Sequence, residues 1–332
     1  MRFLGIFLLT GLAYGAACTN ASPACTEFVT LGGGPSRSLI YRSHSLDARD
    51  DRITRALIVI HGTNRDADNY FRTALAAAFL ANALDDTEVI VPRIASNSGT
   101  CHDALAANEV SYSCGGDSWR SGGTAANNEK LTSFDFIDEL LRKLAARQSF
   151  PNLKAIVLAG HSAGGQFVNR YEMSNRIHEK LAVPVTYVVA NPSSYAYLDN
   201  TRPVLDGVGF RPYSDARNCI TYDHWPYGLQ GRTGYAARST DEQLRKQLAS
   251  RPVTYLLGDL DTLPLGGFDS SCPAMAQGAT RLARGLAFAR FVNEKFEAKH
   301  QVQVVELCGH NARCMFTAES ALPLLFPKTG AH

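Results

Sequence analysis

The sequence has 332 residues, 45% of them hydrophobic, so the chain is long and apolar enough to bury a full core. This excludes an intrinsically disordered chain, a collagen-like repeat and a small scaffold that depends on disulfides for its stability. Lysine and arginine (33) nearly balance aspartate and glutamate (31) and form no run of like charge, so we expect no nucleic-acid partner.

Residues 1–17 are predicted to be a secretory signal peptide. Arg2 gives a positive start, residues 3–12 form an apolar stretch too short to span a bilayer, and small residues precede Cys18. A lipoprotein signal ending at Cys18 is the alternative, but Gly15 occupies a position where such signals usually carry leucine. No later segment is a long uninterrupted apolar run, so we expect a secreted protein, extracellular or periplasmic, without stable membrane insertion.

The eight cysteines are interpreted in the light of export, because disulfides form in oxidising compartments. They include neither a CxxC pair nor a histidine-spaced zinc pattern, so we expect disulfides and no metal site; a few buried free thiols are the alternative. Many pairings are possible, and short sequence separations favour some of them. The favoured pairs are Cys18 with Cys25, Cys101 with Cys114 and Cys308 with Cys314, which leaves Cys219 for Cys272.

Short apolar runs rich in β-branched residues alternate with helical periods along the chain. An antiparallel pair of strands is predicted at 28–31 and 39–42. Strands buried on both faces are predicted at 56–60, 88–92, 155–159, 185–190, 253–257 and 302–307. Helices are predicted at 70–84, 133–147, 165–181 and 279–299. This alternation predicts an α/β fold with a mostly parallel sheet covered by helices.

Residues 195–249 depart from the alternation, because they are rich in turns and aromatics and only 241–248 has a helical pattern. A structureless loop of this length is not expected inside a compact domain, so we interpret it as a cap over the carboxyl edge of the sheet. Trp225 and Tyr227 in the cap, with Trp119 opposite, are predicted to line a substrate-binding pocket. Simple packing of these rings onto the sheet is the alternative.

The pentapeptide Gly160-His161-Ser162-Ala163-Gly164 is the strongest indication of chemistry. GxSxG alone arises easily by chance, but here it follows the predicted strand 155–159 and opens the helix at 165. In that setting a sharp elbow lifts the serine hydroxyl off the sheet, and flanking glycines prevent collisions with the neighbouring strand and helix. We therefore predict that Ser162 is a nucleophile.

A nucleophilic serine needs a base, and the base needs an orienting acid. His310 is the predicted base, because it follows the last strand at the edge where Ser162 emerges; His224 in the cap is its rival. Asp261 is the predicted acid, because a loop needs a few residues beyond strand 253–257 to turn toward the histidine. Asp259 is the alternative acid, and we expect it to brace that loop.

The order Ser162, Asp261, His310, with His61-Gly62 after an early strand, resembles the α/β-hydrolase superfamily. The resemblance extends from about residue 28 to residue 326. It implies an α/β-hydrolase fold, with a mostly parallel central sheet flanked by helices, in a single domain over 18–332. The cap insertion then precedes the strand that carries the acid.

The resemblance also implies an oxyanion hole formed by the backbone N–H groups of Thr63 and Ala163. Ala163 suits this role physically, because an N–H at the start of a helix has no acceptor within the helix. His61-Gly62-Thr63-Asn64 departs from the HGGG sequence of many microbial lipases, which counts against those particular lipases without affecting the triad.

These residues predict a secreted serine hydrolase that cleaves carboxylic esters, of small molecules or polymers, through an acyl-enzyme and without any cofactor. A serine peptidase or amidase on the same triad is the first alternative. It is less favoured, because no separate substrate-gating domain and no acidic anchor for a peptide amine are evident. A non-catalytic binding protein is the second alternative, and the presence of all three triad residues argues against it.

Overall fold

The computed structural model describes residues 16–115, 118–204 and 209–329. Residues 1–15 of the predicted signal peptide (1–17) therefore lie outside the described residues. The strands are β1 (Thr26–Thr30), β2 (Arg37–Arg42), β3 (Arg55–Ile60), β4 (Thr87–Pro92), β5 (Thr124–Ala125), β6 (Asn128–Thr132), β7 (Ala155–His161), β8 (Val185–Ala190), β9 (Thr201–Pro203), β10 (Phe210–Pro212), β11 (Val253–Gly258) and β12 (Gln301–Val305).

Helices occupy most of the segments between the strands. The α-helices are α1 (Ala67–Leu80), α2 (Ser133–Ala145), α3 (Ala163–Ser174), α4 (Asp241–Ser250), α5 (Cys272–Met275), α6 (Arg281–Phe296), α7 (Ala312–Thr317) and α8 (Leu322–Leu325). Short 3-10 helices lie at Pro23–Cys25, Trp119–Ser121, His178–Lys180 and Ala236–Arg238.

Eight strands form one sheet in the order β1-β2-β4-β3-β7-β8-β11-β12. The β1–β2 and β2–β4 pairs are antiparallel, and every other pair in this sheet is parallel. The predicted opening antiparallel pair and the mostly parallel sheet are thus confirmed. Because β7, β8, β11 and β12 run in one direction, their carboxyl ends meet at one edge of the sheet, as crossover topology requires.

Both faces of the sheet are buried along its central strands, as the continuous apolar runs predict. Strand β12 is an exception: it lies at the edge of the sheet with Val302 40% and Val304 37% exposed, so the prediction that this strand is buried on both faces is wrong. On β3, Ile58 and Ile60 point into a core shared with Phe134 of α2, whereas Leu57 points into a second core shared with Phe71 of α1. Side chains alternate between faces along a strand, so a strand buried on both sides shows no polar positions. Helices α2, α3 and α6 cover the first face, and α1, α7 and α8 cover the second.

Element boundaries differ from the predicted ones where the backbone leaves regular geometry. Strand β12 ends at Val305, two residues before the predicted end, because Leu307 has a φ of 58°, in the left-handed region. Helix α3 ends at Ser174, seven residues before the predicted end at 181, because Asn175 is extended. Such disagreements at element ends are common, since periodicity defines the middle of an element better than its ends.

The insertion at 195–249 contains β9, β10 and α4 and begins inside the core. Tyr195 and Tyr197 are fully buried, with ring centroids 4.6 and 5.2 Å from that of Phe288 in α6. These two rings therefore pack the insertion onto the body of the protein. Its role as a cap over the active site stays a prediction.

All four favoured disulfides are present: Cys18–Cys25, Cys101–Cys114, Cys219–Cys272 and Cys308–Cys314. No cysteine is left unpaired in the part of the chain that the structure describes, so the alternative of buried free thiols is wrong. Within the same residues, no helix combines the length and apolar character needed to cross a membrane. Nor do any three or more histidine, cysteine or acidic side chains there form a group that could hold a metal ion.

Candidate active site

Ser162 occupies the turn between β7 and α3. Its φ of 59° and ψ of −119° lie in a region that non-glycine residues rarely adopt, so the surrounding structure must stabilise the strain. The Ser162 N–H donates a hydrogen bond to the Ala190 carbonyl at the end of β8, 3.0 Å away. The turn thus projects the side chain from the carboxyl edge of the sheet, as the predicted elbow requires.

The glycines of the pentapeptide permit this tight turn. A Cβ at Gly160 would collide with the carbonyl oxygen of Gly164, and one at Gly164 would collide with that of Ile60 in β3. Gly165 is equally restricted, because a side chain there would strike the Ala190 carbonyl. Helix α3 therefore approaches the sheet more closely than any larger residue would allow.

The three predicted triad residues lie in a hydrogen-bonded row. The Nε2 atom of His310 is 2.9 Å from Ser162 Oγ, and its Nδ1 atom is 2.8 Å from Asp261 Oδ2. Asp261 is 2% exposed and Ser162 is 9% exposed, so the row runs from the interior to the floor of a cleft. This geometry can transfer a proton from the serine hydroxyl to the imidazole and orient the imidazole by a carboxylate.

The two rival residues lie elsewhere. Asp259 follows β11 directly, and its N–H donates to the Val305 carbonyl, 3.1 Å away, which ties the loop to β12 as expected of a bracing residue. Its buried Oδ1 has no hydrogen-bond partner among the described residues. His224 is exposed on the insertion, and its N–H donates to Thr221. The structure thus brings Asp261, not Asp259, to His310.

Two further side chains near the triad were not predicted. Arg281, fully buried at the start of α6, places Nη1 3.4 Å from the second oxygen of Asp261. His161, beside the serine, has its ring centroid 4.7 Å from that of His310, and its Nδ1 is 3.1 Å from the Tyr70 hydroxyl. Burial, together with His310 and Arg281, lowers the pKa of His161 well below its usual value, so this ring is neutral.

The predicted oxyanion residues flank the serine. Thr63 lines the same cavity as Ser162, and Ala163 is the first residue of α3. No acceptor within the described residues is paired with the N–H of either residue. The loop before Thr63 is braced by His61, whose Nδ1 is 2.9 Å from Gly62 O and whose Nε2 accepts from the Ile94 N–H. Burial lowers the pKa of His61 to about 4, so the brace is a neutral imidazole.

A cavity of about 640 Å³ opens beside Ser162 and His310. Its lining is mostly polar, in contrast to the apolar pockets typical of drug-like ligands. Besides Ser162, His310, His161, Tyr70 and Thr63, the polar side chains of the lining are Asn64, Asp66, Asn69, Thr73, Asn311 and Arg313.

The three aromatic residues predicted to bind substrate do not line this cavity. Trp119 is 3% exposed and packs beside His61, with ring centroids 5.4 Å apart. Trp225 donates from Nε1 to the Ser121 carbonyl, 3.3 Å away, and the Tyr227 hydroxyl donates to Asp269 over 2.8 Å. This placement favours the alternative interpretation, in which these rings serve packing and do not bind substrate.

Comparison with known proteins gives a family and a fold. A family model described as the alpha/beta hydrolase family matches residues 57–321. A poly(3-hydroxybutyrate) depolymerase from Bordetella parapertussis is similar in structure, with a TM-score of 0.63, 21% sequence identity, and coverage of 91% of this chain and 90% of that chain. Poly(aspartic acid) hydrolase-1 from Sphingomonas sp. KT-1 has a TM-score of 0.59 and 24% identity, over 95% of this chain and 99% of that chain.

At these identities the two solved structures show a shared fold, and no curated protein gives a significant sequence match. The family model spans most of the chain, from β3 to the segment after α7. This span includes Ser162, Asp261 and His310. The chain therefore belongs to the alpha/beta hydrolase family.

Proposed function

We propose that this protein is a secreted serine hydrolase that cleaves carboxylic esters through an acyl-enzyme. The observation that carries the proposal is the hydrogen-bonded row of Ser162, His310 and Asp261, with donor–acceptor distances of 2.9 and 2.8 Å. These are distances at which a base can accept the serine proton as the hydroxyl attacks a carbonyl carbon.

In the proposed acylation step, Ser162 Oγ attacks the ester carbonyl while His310 Nε2 takes the hydroxyl proton. Asp261 stabilises the resulting imidazolium. The N–H groups of Thr63 and Ala163 stabilise the oxyanion of the tetrahedral intermediate. His310 then gives its proton to the departing alcohol oxygen. In deacylation, water attacks the acyl-enzyme, with the same imidazole as base, and releases the acid and the free serine.

The disulfides support secretion, because all eight cysteines are paired and disulfides persist in oxidising compartments. By name, one fold likeness acts on a polyester, poly(3-hydroxybutyrate), whereas the other acts on poly(aspartic acid), whose units are joined by amide bonds. The second likeness keeps amides in the test below, and the first supports a polymeric ester. We therefore include polymeric esters, beside small-molecule esters, as substrates of the proposed activity.

The polar lining of the cleft supports a hydrophilic substrate. Asn64, Asn69 and Asn311 offer amide donors and acceptors around Ser162, and burying polar groups against an alkyl chain without hydrogen bonds is costly. Long acyl chains therefore suit this cleft poorly. We propose an ester with a short or polar acyl group.

The test is a panel of chromogenic esters of rising acyl length, peptide amides and a polyester film, presented to the purified secreted protein. We expect turnover of short and polar acyl esters, declining with chain length, and slower turnover of amides. Prior labelling of Ser162 by a fluorophosphonate should abolish every activity. Faster cleavage of amides than of matched esters would favour the peptidase alternative, and absence of both turnover and labelling would contradict the proposal.

A further inference from the structure

We propose that Arg281 is a positioning residue of the active site, which holds the acid Asp261 and also the loop 265–267 beside His310. This inference rests on the proposed function, because it assigns Arg281 a role in the same triad. Nothing in the motif pattern draws attention to this arginine, which lies twenty residues beyond Asp261.

Arg281 is 1% exposed and makes four polar contacts with its guanidinium. Nε donates to Ser193 Oγ at 2.6 Å, and Nη1 lies 3.4 Å from Asp261 Oδ1. Nη2 donates to the carbonyls of Leu265 and Gly266, at 2.7 and 2.9 Å. All three guanidinium nitrogens are therefore engaged, as the planar fork of an arginine allows and an ammonium does not.

The first consequence is that both oxygens of the acid are held. Asp261 Oδ2 faces His310 Nδ1 at 2.8 Å, and Oδ1 faces Arg281. A carboxylate with partners at both oxygens cannot rotate away from the imidazole without breaking a charged contact. Removal of one partner of a buried ion pair is costly, so the arginine and the acid depend on each other.

The second consequence concerns the loop 265–267. Gly266 has a φ of 56°, and a Cβ there would lie 3.1 Å from His310 Cδ2. Gly267 has a φ of 69°, and a Cβ there would lie 3.6 Å from Thr63 Cγ2. The loop thus runs from the catalytic imidazole toward the predicted oxyanion residue and forms one wall of the cleft. Arg281 holds two successive carbonyls of this wall.

The third consequence is electrostatic. A cation beside Asp261 weakens the attraction between that carboxylate and a positive charge on the neighbouring imidazole ring. Loss of the cation should therefore move the acid limb of the pH profile to higher pH. The other charged or titratable groups around this pair, among the described residues, are neutral His161, Tyr195, Asp269 and Arg284, with Tyr70, Asp66 and Arg313 in the lining of the cleft.

Arg284 provides a matched control. It lies one helical turn after Arg281 in α6, is also fully buried, and donates to the carbonyls of Ser193, Asp269 and Gly278. Its contacts do not include Asp261, Leu265 or Gly266. Arg284→Met therefore removes a buried arginine from the same helix without removing a direct contact to Asp261 or to the loop carbonyls. The two arginines share Ser193 and the ring of Phe268, so the comparison isolates the direct contacts of Arg281.

The experiment compares Arg281→Met, Arg281→Lys and Arg284→Met with wild type, through kcat and KM on the best ester across pH. Arg281→Met should lower kcat roughly tenfold to a hundredfold, since small misplacements of catalytic groups have effects of this size. Its acid limb in kcat/KM should move up by about one pH unit. Arg281→Lys should leave that limb in place, because the positive charge persists. It should raise KM, because an ammonium group cannot replace the guanidinium donors to the loop carbonyls. Arg284→Met should move the limb less than Arg281→Met, because Arg284 makes no direct contact with Asp261.

An acid limb that stays in place in Arg281→Met, or shifts equally in Arg284→Met, would overturn the role of Arg281. Near-ultraviolet circular dichroism establishes that each variant is folded. If Arg281→Met does not fold, Arg281→Lys decides, and wild-type KM in that variant would overturn the proposal. The rate of fluorophosphonate labelling of Ser162 separates the two proposals. A wild type that is never labelled contradicts the serine hydrolase itself, whereas labelling without any effect of Arg281 contradicts only this inference.

Discussion

Ser162 has the backbone geometry and the partner expected of a nucleophile, and its replacement gives the most direct test. Ser162→Ala should fold normally, because the residue contributes one small side chain at the floor of a cleft. It should lower kcat by roughly 10⁴- to 10⁶-fold, the range found when a triad nucleophile is removed. Ester turnover and thermal unfolding of the two proteins are measured side by side. Substantial remaining turnover would exclude Ser162 as the nucleophile.

The choice between two neighbouring carboxylates is the second test at the scale of single residues. Asp261→Asn keeps the shape of the acid but favours the wrong imidazole tautomer, so kcat should fall by about 10⁴-fold. Asp259→Asn should have little effect on kcat, because among the described residues that side chain makes no hydrogen bond to His310, and its backbone N–H ties the loop to β12. Kinetics of both variants on one ester decide the matter. A larger loss in Asp259→Asn would show that the loop is arranged differently in solution.

Among the elements, the strands could be predicted well and the insertion poorly. A parallel strand covered on both faces has an uninterrupted apolar sequence. The predicted bounds of four such strands therefore agree with the observed ones to within two residues: β3, β7, β8 and β11. The carboxyl ends of such strands then locate Ser162 and Asp261. The insertion follows no period, and which of its aromatic rings face the core depends on tertiary contacts with α6. Periodicity holds no information about such contacts.

Two parts of the site could not be predicted for related reasons. Arg281 opens α6 with its side chain turned inward, and an arginine at a helix start resembles a surface residue in the sequence. The Tyr70 hydroxyl reaches His161 across 91 residues of sequence, which no local pattern reports. The polar lining likewise assembles from α1, the loop 266–267 and α7. Only the fold brings these segments together.

The loop that carries His310 is closed by a short disulfide, which leads to a prediction about this element. Cys308 and Cys314 are six residues apart and enclose the histidine. A ring this small restricts the unfolded chain only slightly, so it adds little global stability, yet it restricts where the imidazole can point. The double variant Cys308→Ser, Cys314→Ser should therefore lose activity at temperatures where it remains folded.

A comparable ring at the opposite edge of the sheet controls for ring size. Cys18 and Cys25 are seven residues apart and lie beside β1, so their double serine variant should retain ester turnover. Turnover and near-ultraviolet circular dichroism are followed together during heating. Simultaneous loss of both signals in the Cys308, Cys314 variant would show that this disulfide serves the whole fold and not the histidine loop.

At the scale of the whole molecule, Asp138 joins three parts of the structure. It lies on α2 and accepts hydrogen bonds from the hydroxyls of Tyr171 on α3 and Tyr235 in the insertion, each at 2.7 Å. Burial raises the pKa of Asp138 to about 6, against the opposing effect of these two donors and Arg142. The folded protein therefore holds a proton on this carboxyl at a pH where the unfolded chain, with the ordinary value of 3.8, has released it.

The sign of the pH dependence follows from this difference in proton binding. Between pH 3.8 and about 6 the native state binds more protons than the unfolded state, so the free energy of unfolding falls as pH rises. The contribution of Asp138 to stability is complete below this window and is lost above it, and a pKa shift of this size corresponds to about 3 kcal/mol.

Asp138→Asn removes this titrating group, so the fall in the free energy of unfolding with rising pH should become flatter. Glu139→Gln removes a surface carboxylate that also contacts Arg142 and should leave the fall unchanged. Urea unfolding at closely spaced pH values measures how the free energy of unfolding of each protein changes with pH. An equal slope in wild type and Asp138→Asn would show that this carboxyl titrates alike in the folded and unfolded chains.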